Sequence, residues 1–320
     1  MKKPSLKQLF LTAAILPLFL SCGSGDDSSA LKDPPTDLSA LPDAILKLSD
    51  GRQIRLDSNL NKAIEAEPGC SLSVKNGKLI YHSIPDSAVK YAHTLSVSKG
   101  NRFGVVFPDS SEASMNAQTK ITYPVSFKGA LREIRLDGEM FIKVHKTGEI
   151  PLLVRITTDY YYAAVSGKFN VNSYHGSYGL TLSVFEDSVT TFSEPDFHPG
   201  RHNLKELYAS SKSFTKALTS EHQELDGRYR ESPLDSMQAI GWLKNRFNFD
   251  YMDLPAAMEE ISRWYDVEVE YDGEIPYFDY VETPGRDTPL PTLLKLMESA
   301  GVKFTLKNNG RKIVVKAKKR

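Results

Sequence analysis

GWLKNRFNFDYMDLPAAMEEISRWYDVEVEY, residues Gly241–Tyr271, changes its hydrophobic period twice, and those changes decide how the C-terminal part of the chain is read. Phe247, Phe249 and Tyr251 alternate with Asn248 and Asp250, the period-two pattern of a half-buried strand. Asp253 then stands where a helix N-cap belongs and Pro255 follows in the first turn. Leu254, Met258, Ile261 and Tyr265 recur at spacings of three and four, so an amphipathic helix is expected. Val267, Val269 and Tyr271 next alternate with Glu268, Glu270 and Asp272, a second strand with one apolar and one acidic face. A looser echo spans Thr288–Val315. Thr288 and Pro289 open a helix carrying Leu293, Leu294 and Met297, Gly301 closes it, and 302–306 and 312–316 form a hairpin around Asn308-Asn309-Gly310. The expectation is a C-terminal α/β domain over 237–320 with a β-α-β repeat, two helices covering one face of a small sheet. Such a module fits the binding of another protein better than catalysis.

Upstream, residues 41–202 read as a mainly β N-terminal domain, because short alternating or apolar runs are separated by turn signals and no stretch keeps a helical period. Ile45–Leu48 and Gln53–Leu56 flank Ser49-Asp50-Gly51, and Phe103–Phe107 runs into Pro108-Asp109-Ser110. Further strands are expected at Arg132–Leu136, Met140–Val144, Leu152–Thr157, Tyr160–Val165, Phe169–Asn172, Leu180–Phe185 and Ser188–Phe192. Residues 203–236 are mostly polar and read as a linker with one or two helical turns around Leu204, Leu207 and Tyr208.

The first 22 residues have the form of a lipoprotein signal peptide. Lys2, Lys3 and Lys7 make a charged start, Leu9–Leu20 is an apolar core too short to span a bilayer comfortably, and Phe19-Leu20-Ser21-Cys22 resembles a bacterial lipobox. Cys22 is the expected lipidation site. Residues 23–40, with Asp26-Asp27 and Pro34-Pro35, are too polar to pack and suit a flexible tether. The remaining cysteine is Cys70, so with Cys22 lipidated the folded part has no intramolecular disulfide to draw on. Forty basic and 40 acidic side chains give zero formal net charge, which argues against nucleic acid as a partner.

Signals for chemistry are weak. His198 and His202 are four apart, but Pro199-Gly200 disfavours the helix that would align them, and no metal site is expected. Tyr160-Tyr161-Tyr162 lies on an expected strand, where the middle ring points away from the other two, so packing is favoured over a sugar-stacking platform. No G-x-S-x-G elbow or Gly-rich phosphate loop occurs, and no nucleophile pairs with a base in the sequence. Neither catalysis nor a cofactor is expected.

Several runs then point to one family. Phe103–Pro124, FGVVFPDSSEASMNAQTKITYP, resembles the strand, P-D-G-T turn, strand and closing Y-P of the FecR family. Phe127–Phe141, FKGALREIRLDGEMF, resembles its F-x-G-x-x-R-x-V-x-L-x-G-E-A-x-F, and Phe169-Asn170-Val171 with Tyr174 is similar to its F-N-V-x-x-Y. Pro199-Gly200 fits a later P-G turn, and Trp242, Phe249, Leu254 and Ser262-Arg263-Trp264-Tyr265 resemble its C-terminal W-x-x-x-x-x-x-F and S-R-W-Y pattern. The P-D-G-T turn is Pro108-Asp109-Ser110-Ser111 here, and Ser166-Gly167 stands for Gly-Thr. The resemblance covers roughly residues 41–315 and implies a signalling protein that couples an outer-membrane transporter to a sigma factor. The usual member begins with a cytoplasmic sigma-binding domain, for which this sequence has no counterpart, and an exported lipoprotein does not reach a cytoplasmic sigma factor.

Taken with the lipobox at Cys22, the resemblance implies a lipid-anchored regulator in the periplasm or on the outer-membrane surface. Its expected partner is the signalling domain of a TonB-dependent transporter, bound by the C-terminal domain, with Phe247, Phe249, Tyr251, Trp264 and Tyr265 as the candidate partner interface. The alternative is a surface lipoprotein that binds a glycan or other ligand on its β-rich domain.

Overall fold

The structure, a computed structural model, describes residues 43–317 apart from 59, 61–62, 84–90, 128–131, 157–159, 175–179, 194–220, 226–227, 233–234, 251 and 279–283. Cys22, the signal peptide, the tether, Tyr251, His198 and His202 lie outside the described residues. Among the described residues no helix is long and apolar enough to cross a membrane.

The N-terminal part is built of strands: β1 Ala44–Lys47, β2 Gln53–Leu56, β3 Ala63–Glu65, β4 Ser71–Lys75, β5 Lys78–Ser83, β6 Ala92–Val97, β7 Phe103–Val106, β8 Glu112–Met115 and β9 Lys120–Pro124. They continue as β10 Arg132–Asp137, β11 Glu139–Val144, β12 Leu152–Arg155, β13 Tyr160–Ala164, β14 Gly167–Asn172, β15 Leu180–Glu186, β16 Thr190–Ser193, β17 Glu221–Leu225 and β18 Arg228–Ser232. One sheet has eight strands in the order β16-β13-β12-β10-β9-β6-β1-β2, and the other has ten in the order β18-β17-β15-β14-β11-β8-β7-β5-β4-β3. Both sheets turn their apolar positions into one shared core. Leu46, Ile121, Ile134 and Val154 enter it from the first sheet, and Leu72, Val105, Ile142 and Phe169 from the second, all fully buried.

Two local devices fix this arrangement. Ser110, where the family pattern has Gly, sits at φ 68 in the turn between β7 and β8. Buried Arg132 clasps that turn: its guanidinium donates to Asp109 Oδ2 at 2.9 Å, His145 O at 2.9 Å and Ile150 O at 2.5 Å. Gly138, between β10 and β11, has φ +119, and a Cβ there would meet Thr119 Cα at 2.8 Å. No other residue fits both the backbone angle and the space.

The C-terminal module comprises α1 Ser236–Ile240, a 3-10 turn Gly241–Lys244, α2 Leu254–Tyr265, β19 Glu268–Tyr271, α3 Leu290–Met297, β20 Val302–Lys307 and β21 Lys312–Ala317. Asp253 caps α2 by accepting from Ala256 N at 2.9 Å, and Asn308, Asn309 and Gly310 all take positive φ in the hairpin turn. The sheet order is β19-β21-β20, with β19 parallel and β20 antiparallel to β21. Its core is separate from that of the large sheets: Leu254, Met258 and Ile261 of α2 and Leu293, Leu294 and Met297 of α3 pack on Ile313 and Val315.

Several expectations are corrected. The segment around Phe247 and Phe249 is not a strand. Both rings turn into the module core, 5.3 Å apart and stacked, while Asn248 Oδ1 accepts from Asp250 N at 2.9 Å and bends the backbone out of any ladder. Only the isolated bridge Arg246–Gly285 remains, so the module opens on a helix rather than a strand. The presumed linker 203–236 contains β17 and β18, which extend the ten-stranded sheet from β15. Their sequences, EHQEL and RYRES, lack apolar alternation, and backbone pairing alone reveals them. The strands β3 to β6 were likewise not expected from the residues.

One buried polar cluster ties the β1–β2 turn to β6. Glu67 Oε1 accepts from Ser49 N at 2.9 Å and lies 3.4 Å from His93 Nε2, while His93 Nδ1 lies 2.7 Å from the Tyr81 hydroxyl. Burial holds His93 below its ordinary 6.5, against the opposing pull of Glu67. Burial also pushes Glu67 upward, but the hydrogen bonds from Ser49 and the charge of His93 outweigh it and leave Glu67 below its ordinary 4.5. For both groups the unfolded chain binds more protons than the folded one. Stability therefore falls with pH, first below 6.5 through His93 and then below 4.5 through Glu67. Replacing His93 with Gln is expected to flatten the urea midpoint between pH 7 and pH 5 while leaving the loss at lower pH, and an unchanged slope in the upper window would refute this assignment.

Candidate functional site

Strand register builds a row of residues across the outer face of the ten-stranded sheet. Lys78 pairs with Gly104, Gly104 with Ser114, Ser114 with Phe141, Phe141 with Asn170 and Asn170 with Ser183. Alternation sends the neighbours of these residues, such as Val105, Ala113 and Ile142, into the core. The small residues in the row leave space above the sheet, and the C-terminal module occupies that side.

Beside the row lies a buried polar network. Glu139, 7% exposed, accepts from Asn116 Nδ2 at 2.7 Å and from Asn170 Nδ2 at 3.0 Å. The Thr119 hydroxyl donates to Glu139 O at 3.1 Å, and the Tyr174 hydroxyl donates to Ala117 O. Burial pushes Glu139 above the usual carboxylate range, opposed by the two Asn donors. Nearby Glu260 adds to the rise and Arg286 reduces it.

The module enters this network through Arg286, which is 3% exposed. Its Nη1 donates to Asn116 Oδ1 at 2.9 Å across the seam, its Nη2 to Glu260 Oε1 at 2.6 Å within the module, and its Nε to Arg246 O at 3.3 Å. The guanidinium lies 5.0 Å from the ring centre of Phe247 and 4.9 Å from that of Trp264, whose indole N–H donates to Arg286 O at 2.7 Å. Further contacts extend the seam. Arg263 lies 4.0 Å over the Tyr174 ring, Gly100 N donates to Arg263 O at 3.0 Å, and Lys99 pairs with Asp266 at 3.0 Å. Arg102 donates to Trp242 O at 2.5 Å, Leu243 O at 3.2 Å and Asn245 Oδ1 at 3.3 Å. Burial and then repulsion from Arg286 hold Arg102 below its ordinary value.

The expected interface residues do not share one surface. Phe247 and Phe249 are 0% and 1% exposed in the module core, and Tyr265 is buried with its hydroxyl donating to Thr288 O. Folded as described, none of the three presents a side chain to a partner, because each is needed to close a core built on two short helices. Trp264 lies in the seam. Arg286 and Arg102 were missed, since nothing in their local sequence marks them, and Asn116 was not singled out within the Phe103–Pro124 run. Glu139, Asn170, Tyr174 and Arg263, by contrast, stand in the motif runs G-E, F-N-V-x-x-Y and S-R-W-Y, and the fold brings those runs together.

Replacing Arg286 with Met leaves Glu260 and Asn116 Oδ1 facing each other across the seam without a cation, and the expected cost is about 3 kcal/mol. Hydrogen exchange at the Gly100 amide should accelerate more than at Ile142 in the sheet core, and equal acceleration would argue against a seam contact. Glu139 gives the opposite pH signature to His93. Its folded form keeps a proton above 4.5, so its contribution is present at low pH and is lost as pH rises through the raised folded value. Replacing Glu139 with Gln should remove that loss, as read from denaturation midpoints.

Comparison with known proteins follows the same division. A family model described as FecR protein matches residues 93–190, and one described as FecR, C-terminal matches residues 246–315. Two crystal structures share the fold, each of a candidate anti-sigma factor from Parabacteroides distasonis ATCC 8503. The one at 2.50 Å gives a TM-score of 0.58 at 20% identity and covers 71% of this chain and 100% of that one. The one at 1.65 Å gives 0.56 at 20% identity, covering 69% and 97%. No curated protein matches the chain. With the two models matched on opposite sides of one seam, the chain belongs to the FecR family of envelope-associated regulatory proteins.

Proposed function

We propose that this FecR-family chain regulates a sigma-factor system from the cell envelope, anchored by lipid at Cys22, with its C-terminal module binding the signalling domain of a TonB-dependent outer-membrane transporter. In this reading the β-rich part, 41–202, is a platform, and residues 237–320 are the receptor for the partner. The observation that carries it is the edge of β19, which among the described residues pairs with β21 alone. Glu268 N and Asp272 N donate inward to Arg311 O at 2.9 Å and Val315 O at 2.8 Å, so the alternate amides, Val269 and Tyr271, face away from β21. A partner strand would meet those groups by strand addition.

Two features favour β19 over β20, the other edge. β20 carries exposed Lys303 and Lys307, lysine being the charge that most discourages edge pairing, whereas the exposed charges of β19 are Glu268 and Glu270. Just past β19 the chain presents Ile275 at 52% and Tyr277 at 84% exposure, large apolar side chains suited to anchoring a partner.

The test is recovery of the transporter from membranes with the full chain, identified by mass spectrometry, against Val269→Pro and against Ile275→Ala with Tyr277→Ala. The wild-type chain should retain the transporter, and each variant should bind weaker by about 2 kcal/mol, roughly thirtyfold. Circular dichroism confirms that the variants fold. No transporter with the wild type, or equal retention by folded variants, would sink the proposal.

A further inference from the structure

A cavity of about 530 Å³ opens where the outer face of the ten-stranded sheet meets the C-terminal module. Lys78 and Arg102 line it, and among the described residues no acidic side chain does. Trp242 and Trp264, the only tryptophans in the chain, also line it. The glycines beneath matter to its shape. A Cβ on Gly104 would fall 2.7 Å from Lys78 Cγ and 3.2 Å from Ala113 O, so only glycine lets the lysine stem lie across β7.

The two cations differ. Lys78 is neutralised by Glu112 at 2.7 Å. Arg102 makes its hydrogen bonds to two carbonyls and one amide oxygen, and among the described residues it has no carboxylate partner. A half-buried guanidinium with no counter-charge beside an open cavity favours an anion there. Trp242 borders the cavity with its ring, but the residue is 4% exposed and its indole N–H is enclosed in protein, so that donor is not offered to a ligand. The remaining walls carry hydroxyl and amide groups from Ser114, Asn76 and Asn101. Trp264 already has the guanidinium groups of Arg286 and Arg102 at 4.9 and 6.0 Å from its ring centre, which leaves little apolar surface for a greasy ligand. The volume is that of a typical small-molecule site and far exceeds what a single inorganic anion needs.

We propose that this cavity binds an acidic saccharide, its carboxylate on Arg102 and its hydroxyls on Ser114, Asn76 and Asn101. This site is separate from the β19 edge and does not rest on transporter binding.

Because both tryptophans line the cavity, the emission of the full chain reports occupancy, with calorimetry as a second readout. The probes are digalacturonate, with galactose, acetate and inorganic phosphate as controls. Digalacturonate should change the emission saturably, more weakly as salt rises, and galactose should not. Arg102→Gln should weaken binding by about tenfold, the loss of one charge-assisted hydrogen bond. Since Arg102 also braces the seam, Ser114→Ala serves as the second variant. It removes one hydroxyl from the cavity wall and should weaken the calorimetric affinity by several-fold with the melting temperature held. The proposal is overturned by no saturable response to digalacturonate. It is equally overturned if galactose, acetate or phosphate binds as tightly, or if both folded variants keep wild-type affinity.

Discussion

Arg286 is buried between Glu260 of its own module and Asn116 of the ten-stranded sheet, and a charge so placed has few acceptable arrangements. Withdrawn from water, it needs its counter-charge, its acceptors and its aromatic neighbours together. Glu260, Asn116 Oδ1, Arg246 O, Phe247 and Trp264 supply them only when the module sits against the sheet as it does. Apolar packing alone would tolerate sliding along a flat sheet face. A guanidinium with fixed donor directions fixes both distance and rotation.

The same constraint gives the family motifs a physical meaning. Arg132 of the long F-x-G run clasps the Pro108-Asp109 turn, Gly138 is the position where no side chain fits, and Glu139 is the carboxylate that Asn116 and Asn170 surround. Asn116 then uses its carbonyl oxygen for Arg286 and its amide for Glu139, so one side chain passes the order of the sheet to the module. Tyr174 and Arg263, from two motifs far apart in sequence, meet ring to guanidinium. These groups are spent on position: they hold the module against the sheet.

The proposed recognition edge and the seam use different residues of that module. Trp264 and Arg286 are engaged at the seam, while Ile275 and Tyr277, just past β19, are exposed. A strand added at that edge would lengthen the three-stranded sheet. The cavity beside Arg102 is bounded by both parts of the chain, so a ligand there touches sheet and module at once.

Much of the fold was legible in the sequence because it depends on local periodicity. The β1–β2 hairpin, the strands from β10 to β16, the Asp253 cap, the apolar stripe of α2 and the Asn308-Asn309-Gly310 turn all follow from spacing and turn chemistry within a few residues. The motif runs likewise located Glu139, Asn170, Tyr174 and Arg263 without saying what they touch. Where the signal was not local, the reading failed. β17 and β18 have no apolar alternation and exist by pairing with β15. Phe247 and Phe249 alternate as a strand would, yet the Asn248 side chain and the module core take them out of any ladder. Arg286 and Asn116 are 170 residues apart, and Arg102 lies 140 residues from Trp242, so their roles come from burial and from partners that only folding supplies. The sequence by itself determined which segments alternate, where turns and caps fall and to which family the motifs point. Only the tertiary structure decided which polar side chains are buried together, because burial turns an ordinary arginine into the group around which the rest must be arranged.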